Sequence, residues 1–374
     1  MYSFRAQDFV SAQAQLEAAV IVPILNEYNN IEPLLAKVSA ALVGINAEII
    51  FVDDGSTDGS AALVEQIALT NPGVRLVRRI GRRGLASAVT EGFLATVAPV
   101  VAVIDGDLQH DEAILPELLR AILHGPADLA IGTRYADGGS VGSWAESRIR
   151  ISQFATRIAA LVMKTDLSDP MSGYFAIRRE LFLDIAPKLS QRGYKILLDI
   201  VASHPEKIAT AEIPYSFRTR VAGESKLDGA VVLEYGELLL DKLVGRIVPV
   251  KLIIFGAIGL IGTLVHLSLL WLALSAAGLA FSGAQTIATL GAMTFNFTLN
   301  NALTYRDRSL KGWKWITGWV SFCAACSLGA LANIGIGTLL FADSWSWWVS
   351  GLAGAAVGSV WNYAATSWLT WRQR

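Results

Sequence analysis

The pattern of hydrophobic and polar positions changes character once along the chain. Through residue 228, short apolar runs alternate with mixed, charge-bearing stretches, whereas from Lys251 onward Leu, Ala, Gly, Ile, Val and Trp dominate. In the first part, AAVIVPILNE, AEIIFVDDG, GVRLVRR, VVAVIDGD and ADLAIGTRY read as strands, separated by helices at about 30–42, 58–70 and 84–96. That alternation predicts an α/β domain with a parallel, doubly wound sheet, whose ligands collect at the carboxyl ends of the strands. The polar residues fall there: Asn26 and Glu27, Asp53 and Asp54, Asp105 and Asp107, and Arg134.

In the second part, four windows, about 252–274, 281–303, 315–340 and 347–369, are long enough to cross a hydrocarbon core, which takes roughly 20 helical residues. Glycine is frequent in all of them, as close helix contacts in lipid permit. Arg246 and Lys251 precede the first window, Arg306, Arg308, Lys311 and Lys314 fill the middle loop, and Arg372 and Arg374 end the chain. The positive-inside bias therefore predicts both termini and the middle loop on the cytoplasmic side. An internal repeat supports the count, because NFTLNNALTYRDR (296–308) and NYAATSWLTWRQR (362–374) share an Asn, then after six intervening residues Leu-Thr, an aromatic and Arg-x-Arg. Tyr305, Trp371 and the arginines read as interfacial anchors. Asn296 and Asn362 read as interhelical hydrogen-bonding groups or as the lining of a lipid groove. GAVVLEYGELLLDKLVGRIVP (229–249) is too charged to span and too apolar to be fully solvated, which predicts an amphipathic helix at the membrane surface.

Composition agrees with this division. A chain that is 53% hydrophobic with mean hydropathy +0.45 is too apolar for an ordinary soluble protein. The net charge of −1 gives no reason to expect nucleic acid as a partner. Cys323 and Cys326 stand one turn apart in an apolar run, as packing residues rather than a redox pair. The first residues, MYSFRAQDFVSAQAQLE, lack the apolar run of a signal peptide, so the first domain is expected in the cytoplasm.

Candidate chemistry concentrates in VVAVIDGDLQHDEAI (100–114). If the strand stays extended, Asp105, Asp107 and Gln109, at i, i+2 and i+4, project from one side and offer oxygen donors to a hard cation. Asp111 and Glu112 suit the start of the next helix. VDDGSTDGS is also what any turn before a helix contains, with Ser56 or Asp58 as N-cap. GRRGLAS (81–87) lacks the Lys-Ser/Thr of a P-loop, and no G-x-G-x-x-G follows the first strand, which argues against kinase-like and dinucleotide-binding readings.

Taken together, IVPILNE, VDDGSTDGS, IDGDLQHDE, GTRY, DPMSGYF (169–175), GYKILLD (193–199) and FRTRVAGESKL (217–227) resemble the family 2 glycosyltransferases of GT-A fold. More narrowly they are similar to the polyprenyl-phosphate glycosyltransferases typified by dolichyl-phosphate mannose synthase, and the last 120 or so residues resemble a four-helix GtrA-like membrane domain. The resemblance implies a cytoplasmic GT-A domain at 1–228, an interfacial helix region at 229–249 and a four-helix transmembrane domain at 250–374. It also implies Mg2+ or Mn2+, a nucleotide-sugar donor, a polyprenyl or dolichyl phosphate acceptor, and inversion at the anomeric carbon. By motif, Pro23, Leu25, Glu27, Val52, Asp54, Asp105 and Gly106 hold the nucleoside, and Asp105, Asp107 and Gln109 surround the metal. Arg220 and Lys226 meet the donor diphosphate, and Arg134, Arg148 and Ser152 receive the acceptor phosphate. Leu25 stands where an aromatic is common, and Gly106 replaces a frequent alanine.

Asp105, Asp107 and Arg220 are the expected catalytic residues. Asp199 has two readings, a base as in related transferases or a helix residue at the rim of the site. SWAESRIRISQFATRIAALVMK (143–164) reads as a basic amphipathic helix resting on anionic headgroups or packed on its own domain. The expected reaction is hexose transfer, first mannose from GDP-mannose, with glucose from UDP-glucose as the alternative. A lipid-binding or translocating protein with a relic transferase domain is a further alternative. A processive polysaccharide synthase is disfavoured because no Q-x-x-R-W is present.

Overall fold

The computed structural model describes residues 16–142, 152, 155–190, 195–218, 229–244, 248–345 and 347–371. The chain forms two compact units, Met1–Leu243 and Val244–Arg374. The helix Gly229–Val244 therefore belongs almost wholly to the first unit.

The first unit is built on a sheet of seven strands: β1 (Ala18–Ile24), β2 (Ala47–Asp53), β3 (Val74–Arg78), β4 (Val100–Val103), β5 (Leu129–Thr133), β6 (Phe175–Arg178) and β7 (Thr210–Pro214). Their order is β3-β2-β1-β4-β6-β5-β7. Every residue of β1, β4 and β5 is buried, which is why these strands read as unbroken apolar runs. Alternate residues supply two cores, one on each face: Ala18, Val20, Val22 and Ile24 point into one, Ala19 and Ile21 into the other. Helices α1 (Tyr28–Ala41), α2 (Ser60–Thr70), α3 (Leu85–Leu94), α4 (Leu115–Leu123), α5 (Arg179–Ile185), α6 (Ile196–Ser203) and α7 (Gly229–Val244) accompany the sheet. Gly92 lets α3 approach closely, since a Cβ there would lie 2.4 Å from Ile21 Cγ2.

The sheet is mixed, not purely parallel. β6 lies antiparallel between β4 and β5, while β7 runs parallel to β5. A four-residue strand carried by GYFAIRR is too short to stand out by periodicity, and its insertion is a non-local pairing that pattern reading does not register. The insertion brings the DPMSG residues before β6 up to the carboxyl end of β4, where the site forms.

The second unit holds α8 (Val250–Ser275), α9 (Phe281–Leu299), α10 (Trp313–Ala342) and α11 (Trp347–Leu369), matching the four apolar windows. Among the described residues, α8 is long and apolar enough to cross a membrane. A π-helical segment, Asn300–Thr304, continues α9 and buries Asn300, Asn301 and Thr304. Tyr305 and Trp371, equivalent positions of the repeat, are each 1% exposed and stack at 4.0 Å between ring centroids. They belong to the core of this unit rather than to an interfacial belt. Trp371 Nε1 donates to Asn301 Oδ1, and Arg308 donates to the Trp371 carbonyl. The repeated asparagines also have equivalent surroundings: a Cβ on Gly262 would lie 2.0 Å from Asn296 Oδ1, and one on Gly329 would lie 1.9 Å from Asn362 Oδ1. Each amide oxygen thus meets a glycine Cα of a neighbouring helix, a contact suited to a weak Cα–H···O bond.

Candidate active site

The first loop of the site is fixed by the second. After β1, Asn26 adopts a left-handed conformation (φ 57°), which a short amide side chain tolerates. The N–H groups of Asn26, Glu27 and Tyr28 then donate to Ser56 Oγ, Ser60 Oγ and Asp58 Oδ2 at 2.9, 3.0 and 3.0 Å. In return, Asn26 Oδ1 accepts from Thr57 N–H at 2.8 Å. Partial burial pushes the Asp58 carboxyl up, but bonds from Ser60 and Tyr28 outweigh this and hold it below its ordinary value. VDDGSTDGS is therefore the clasp for the residues beginning α1 as well as a turn. Asp53 turns onto the N–H groups of Gly55 and Ser56.

The loop after β4 closes over the end of β1. A Cβ at Gly106 would lie 3.1 Å from Ile24 Cγ2, 3.3 Å from the Pro23 carbonyl and 3.7 Å from Glu27 Cγ. Pro23 is also in register with Val52 on β2. Pro23, Glu27, Val52 and Gly106, four of the predicted nucleoside residues, thus form one contiguous wall, with half-buried Leu25 beside them. Asp54 sits at the same edge, where its carboxylate accepts from Arg79 Nη1 and, at 2.8 Å, from Gly84 N–H.

The acidic stretch does not stay extended. β4 ends at Val103, and Leu108 takes a left-handed conformation at φ 62°, so Asp105, Asp107 and Gln109 are carried by a turn and not by i, i+2, i+4 alternation. The turn is tied internally by Gln109 N–H to Asp107 Oδ1 at 3.1 Å. It is tied to the stretch after β7 by two bonds: Gln109 Nε2 to the Arg218 carbonyl at 3.1 Å, and Arg218 N–H to the Gln109 carbonyl at 2.9 Å. Asp111 caps the short helical turn that follows, as read from the sequence. It also joins Glu112 in receiving Arg218, at 2.7 and 2.5 Å.

Below the acidic turn lies an aromatic floor. His110 stacks on Tyr174 at 4.9 Å and meets Tyr215 and Phe217 edge-on. Its Nδ1 accepts from Asp105 N–H at 3.2 Å, and its Nε2 lies 3.8 Å from Asp105 Oδ2. Burial pushes the His110 imidazole down to about 4, against the opposing pull of Asp107, so the ring is neutral and places its proton on Nε2. Burial likewise holds the Tyr174 and Tyr215 phenols protonated.

The DPMSG residues supply the opposite edge. A Cβ on Gly173 would lie 3.1 Å from Asp105 Oδ2. Asp169, fully buried, receives Arg134 Nε and Nη2 at 2.7 and 2.8 Å, a bidentate pair. The Arg134 guanidinium also lies 5.5 Å from the Phe217 ring centre. Next to Arg134, Tyr135 Oη donates to Ser152 Oγ at 2.9 Å, which ties Ser152 to the residue that follows Arg134. Arg148, Arg220 and Lys226 lie outside the described residues.

Comparisons with known proteins identify the family. Residues 19–185 match the glycosyl transferase family 2, and residues 254–371 match the GtrA/DPMS transmembrane domain. The dolichol-phosphate mannosyltransferase of Pyrococcus furiosus is 32% identical over 360 residues, 95% of this chain and 99% of that protein. The chain belongs to the dolichol-phosphate mannosyltransferase family. The Saccharomyces cerevisiae dolichol-phosphate mannosyltransferase is 36% identical over 64% of this chain and 92% of its own length. The polyprenol monophosphomannose synthase of Mycolicibacterium smegmatis is 32% identical over 61% of this chain and 87% of its own. The chain is a glycosyltransferase, with a GT-A domain followed by a helical GtrA/DPMS domain.

For this chain, sequence reasoning left one residue open and missed several. Asp199 is 0% exposed. Its Oδ2 receives Ser190 N–H and Oγ at 2.8 and 2.6 Å, and its Oδ1 receives Lys242 Nζ at 2.5 Å. A carboxylate so enclosed is built into the domain and is not presented as a base, which favours the second reading. Arg79 was missed because RRIGRRG looks like a solvated basic run; its side chain is in fact 1% exposed and bonds Asp54, Gly84, Ser87 and Glu91. Asp169, Gly173 and Arg218 act through partners 35, 68 and 107 positions away, too remote for any local pattern. His110, one residue past Gln109 in DLQHDE, was within reach as the one imidazole in the acidic stretch.

Proposed function

We propose that the protein transfers mannose from GDP-mannose to the phosphate of a polyprenyl lipid, with inversion, at the cytoplasmic face of the membrane. The observation that supports it most is the convergence of Pro23, Glu27, Val52, Gly106, Asp105 and Arg134 at the strand ends of one domain, in a chain that runs nearly the whole length of a dolichol-phosphate mannosyltransferase.

Asp105, Asp107 and Gln109 are an all-oxygen donor set of the kind Mg2+ or Mn2+ takes, and these three residues would hold the ion. When bound, it supplies Lewis-acid stabilisation of the leaving diphosphate. The wall of Pro23, Leu25, Glu27, Val52, Asp54 and Gly106 receives the nucleoside, and Arg220 and Lys226 neutralise the diphosphate through charge-assisted bonds. Arg134, Arg148 and Ser152 orient the acceptor phosphate. One of its oxygens forms the bond to the anomeric carbon, while the bond to the GDP oxygen breaks and that oxygen keeps the electron pair. A phosphate monoester has its second pKa at about 6 and is already anionic at neutral pH, so no protein base has to remove a proton. This agrees with the enclosure of Asp199.

Membranes carrying the protein, incubated with labelled GDP-mannose, polyprenyl phosphate and Mn2+, should place label in the organic phase, and Asp107→Ala should abolish it. Label from UDP-glucose in place of GDP-mannose would move the reading to glucosyl transfer. Label from neither donor, with lipid phosphate still bound, would overturn it.

A further inference from the structure

Among the described residues, the most fully enclosed charge outside the acidic turn and its Asp169–Arg134 edge is Asp199, and its partner comes from the last helix of the first unit. Lys242 side-chain exposure is 9% and that of Asp199 is 0%. Lys242 Nζ has three neighbours, Asp199 Oδ1 at 2.5 Å, Ser203 Oγ at 2.8 Å and the Lys188 carbonyl at 3.4 Å. The same face of α7 carries Tyr235, Leu238 and Leu239 at helical spacing. Leu238 and Leu239 are buried against Ala159, Met171 and Leu198, and Tyr235 Oη donates to the Ala155 carbonyl. Leu198, next to Asp199, therefore shares one packed cluster with Met171. Lys195 Nζ reaches the Met171 carbonyl as well, at 3.4 Å.

Met171 stands in the loop with two contacts to the chemistry. Asp169 holds Arg134, and Gly173 lies against the Asp105 carboxylate. We propose that the buried Lys242–Asp199 pair is a positioning clasp: it locks α7 onto the transferase domain and, through Met171, fixes the 169–173 loop that sets Arg134 and Asp105. Physically, a buried carboxylate or ammonium cannot be left without its partner. The pair therefore offers α7 one seat, with Leu238 and Leu239 in the same packed cluster as Met171 and Leu198. On this account α7 is a working part of the catalytic domain and Asp199 acts without touching substrate.

The proposal rests on the mannosyl-transfer reading for its activity assay and on hydrogen exchange for an independent one. The full chain is reconstituted in lipid nanodiscs, and turnover is measured with GDP-mannose, Mn2+ and polyprenyl phosphate alongside peptide-level hydrogen exchange. Lys242→Met should lower kcat at least 10-fold and speed exchange in both α7 and residues 169–173. Lys242→Arg, which keeps the cation, should stay within threefold of wild type. Asp199→Asn with Lys242→Gln, a neutral hydrogen-bonding pair, should recover at least a third of wild-type turnover and slow exchange at 169–173. Wild-type turnover or unchanged exchange at 169–173 in Lys242→Met would overturn the clasp. A folded double variant with protected 169–173 and no turnover would do so too, by making the Asp199 carboxylate itself a reacting group. Should the double variant not fold, Lys242→Arg against Lys242→Met carries the comparison. If wild type transfers no mannose, the functional reading fails, and the exchange measurement still decides the clasp.

Discussion

Gly173→Ala tests whether the geometry around Asp105 matters to the metal. The added methyl would sit 3.1 Å from Asp105 Oδ2 and 3.4 Å from Oδ1, tighter than an ordinary carbon–oxygen contact, so the carboxylate has to turn by a few tenths of an ångström. Its neighbours limit the turn, because His110 Nδ1 holds the Asp105 backbone and Nε2 stands 3.8 Å from Oδ2. Forcing a side chain about 30° off its preferred rotamer costs about 0.5–1.5 kcal/mol. If the whole cost falls on the bound state, the apparent Mn2+ constant rises roughly 2- to 13-fold. Gly173 has no left-handed φ, so the backbone accepts alanine and the fold should lose little. The assay is Mn2+ titration of mannosyl transfer, paired with thermal unfolding in EDTA. A higher Mn2+ requirement at nearly unchanged metal-free stability is the expected result. An unchanged Mn2+ curve in a folded variant would refute the placement of the metal beside Asp105.

Arg79→Met leaves Asp54 and Glu91 without the cation they share, which should cost about 3–5 kcal/mol and lower Tm by roughly 6–20 °C for a domain of this size; a loss under about 3 °C would mean Arg79 is not needed there. In the membrane unit, Gly262→Ala and Gly329→Ala place a methyl within 2.0 and 1.9 Å of an asparagine oxygen and should destabilise by about 1–3 kcal/mol. Gly256→Ala and Gly259→Ala, with nothing within 4 Å, should be neutral or slightly stabilising in detergent melts; equal Tm values for both sets would refute the packing. His110 carries the pH prediction: its folded pKa of about 4 lies below the ordinary 6.5, so the unfolded state binds the proton first. Stability is full above pH 6.5 and falls as pH drops toward 4, by about 3 kcal/mol in all. His110→Asn should flatten that part of the metal-free stability curve, and an unchanged slope would show that another group titrates.

Local chemistry alone determined much of this protein. Apolar runs without polar interruption set β1 and β4, because strands buried on both faces favour apolar side chains throughout. The hydrocarbon length set the four long helices, and the crowding of Asp105 and Asp107 at a strand end marked the site. Where Asp111 and Glu112 part from Asp105 and Asp107 was also legible, since a capping carboxylate acts on its own next turn. What the tertiary structure decided is whatever depends on partners far apart in sequence. The antiparallel insertion of β6 carries Asp169 to Arg134 and Gly173 to Asp105, and no periodicity encodes which strand will lie between β4 and β5. The left-handed Leu108 replaced the expected extended alternation with a turn, which is held by the bond from Gln109 Nε2 to the Arg218 carbonyl and the bond from Asp105 N–H to His110 Nδ1. Tyr305 and Trp371 looked like interfacial anchors until the repeat folded them onto each other. Asp199 had the residue type of a base, and burial against Lys242 made it a structural ion pair. A residue type fixes what a side chain can do; solvent and partners, which only the fold assigns, fix which of those things it does.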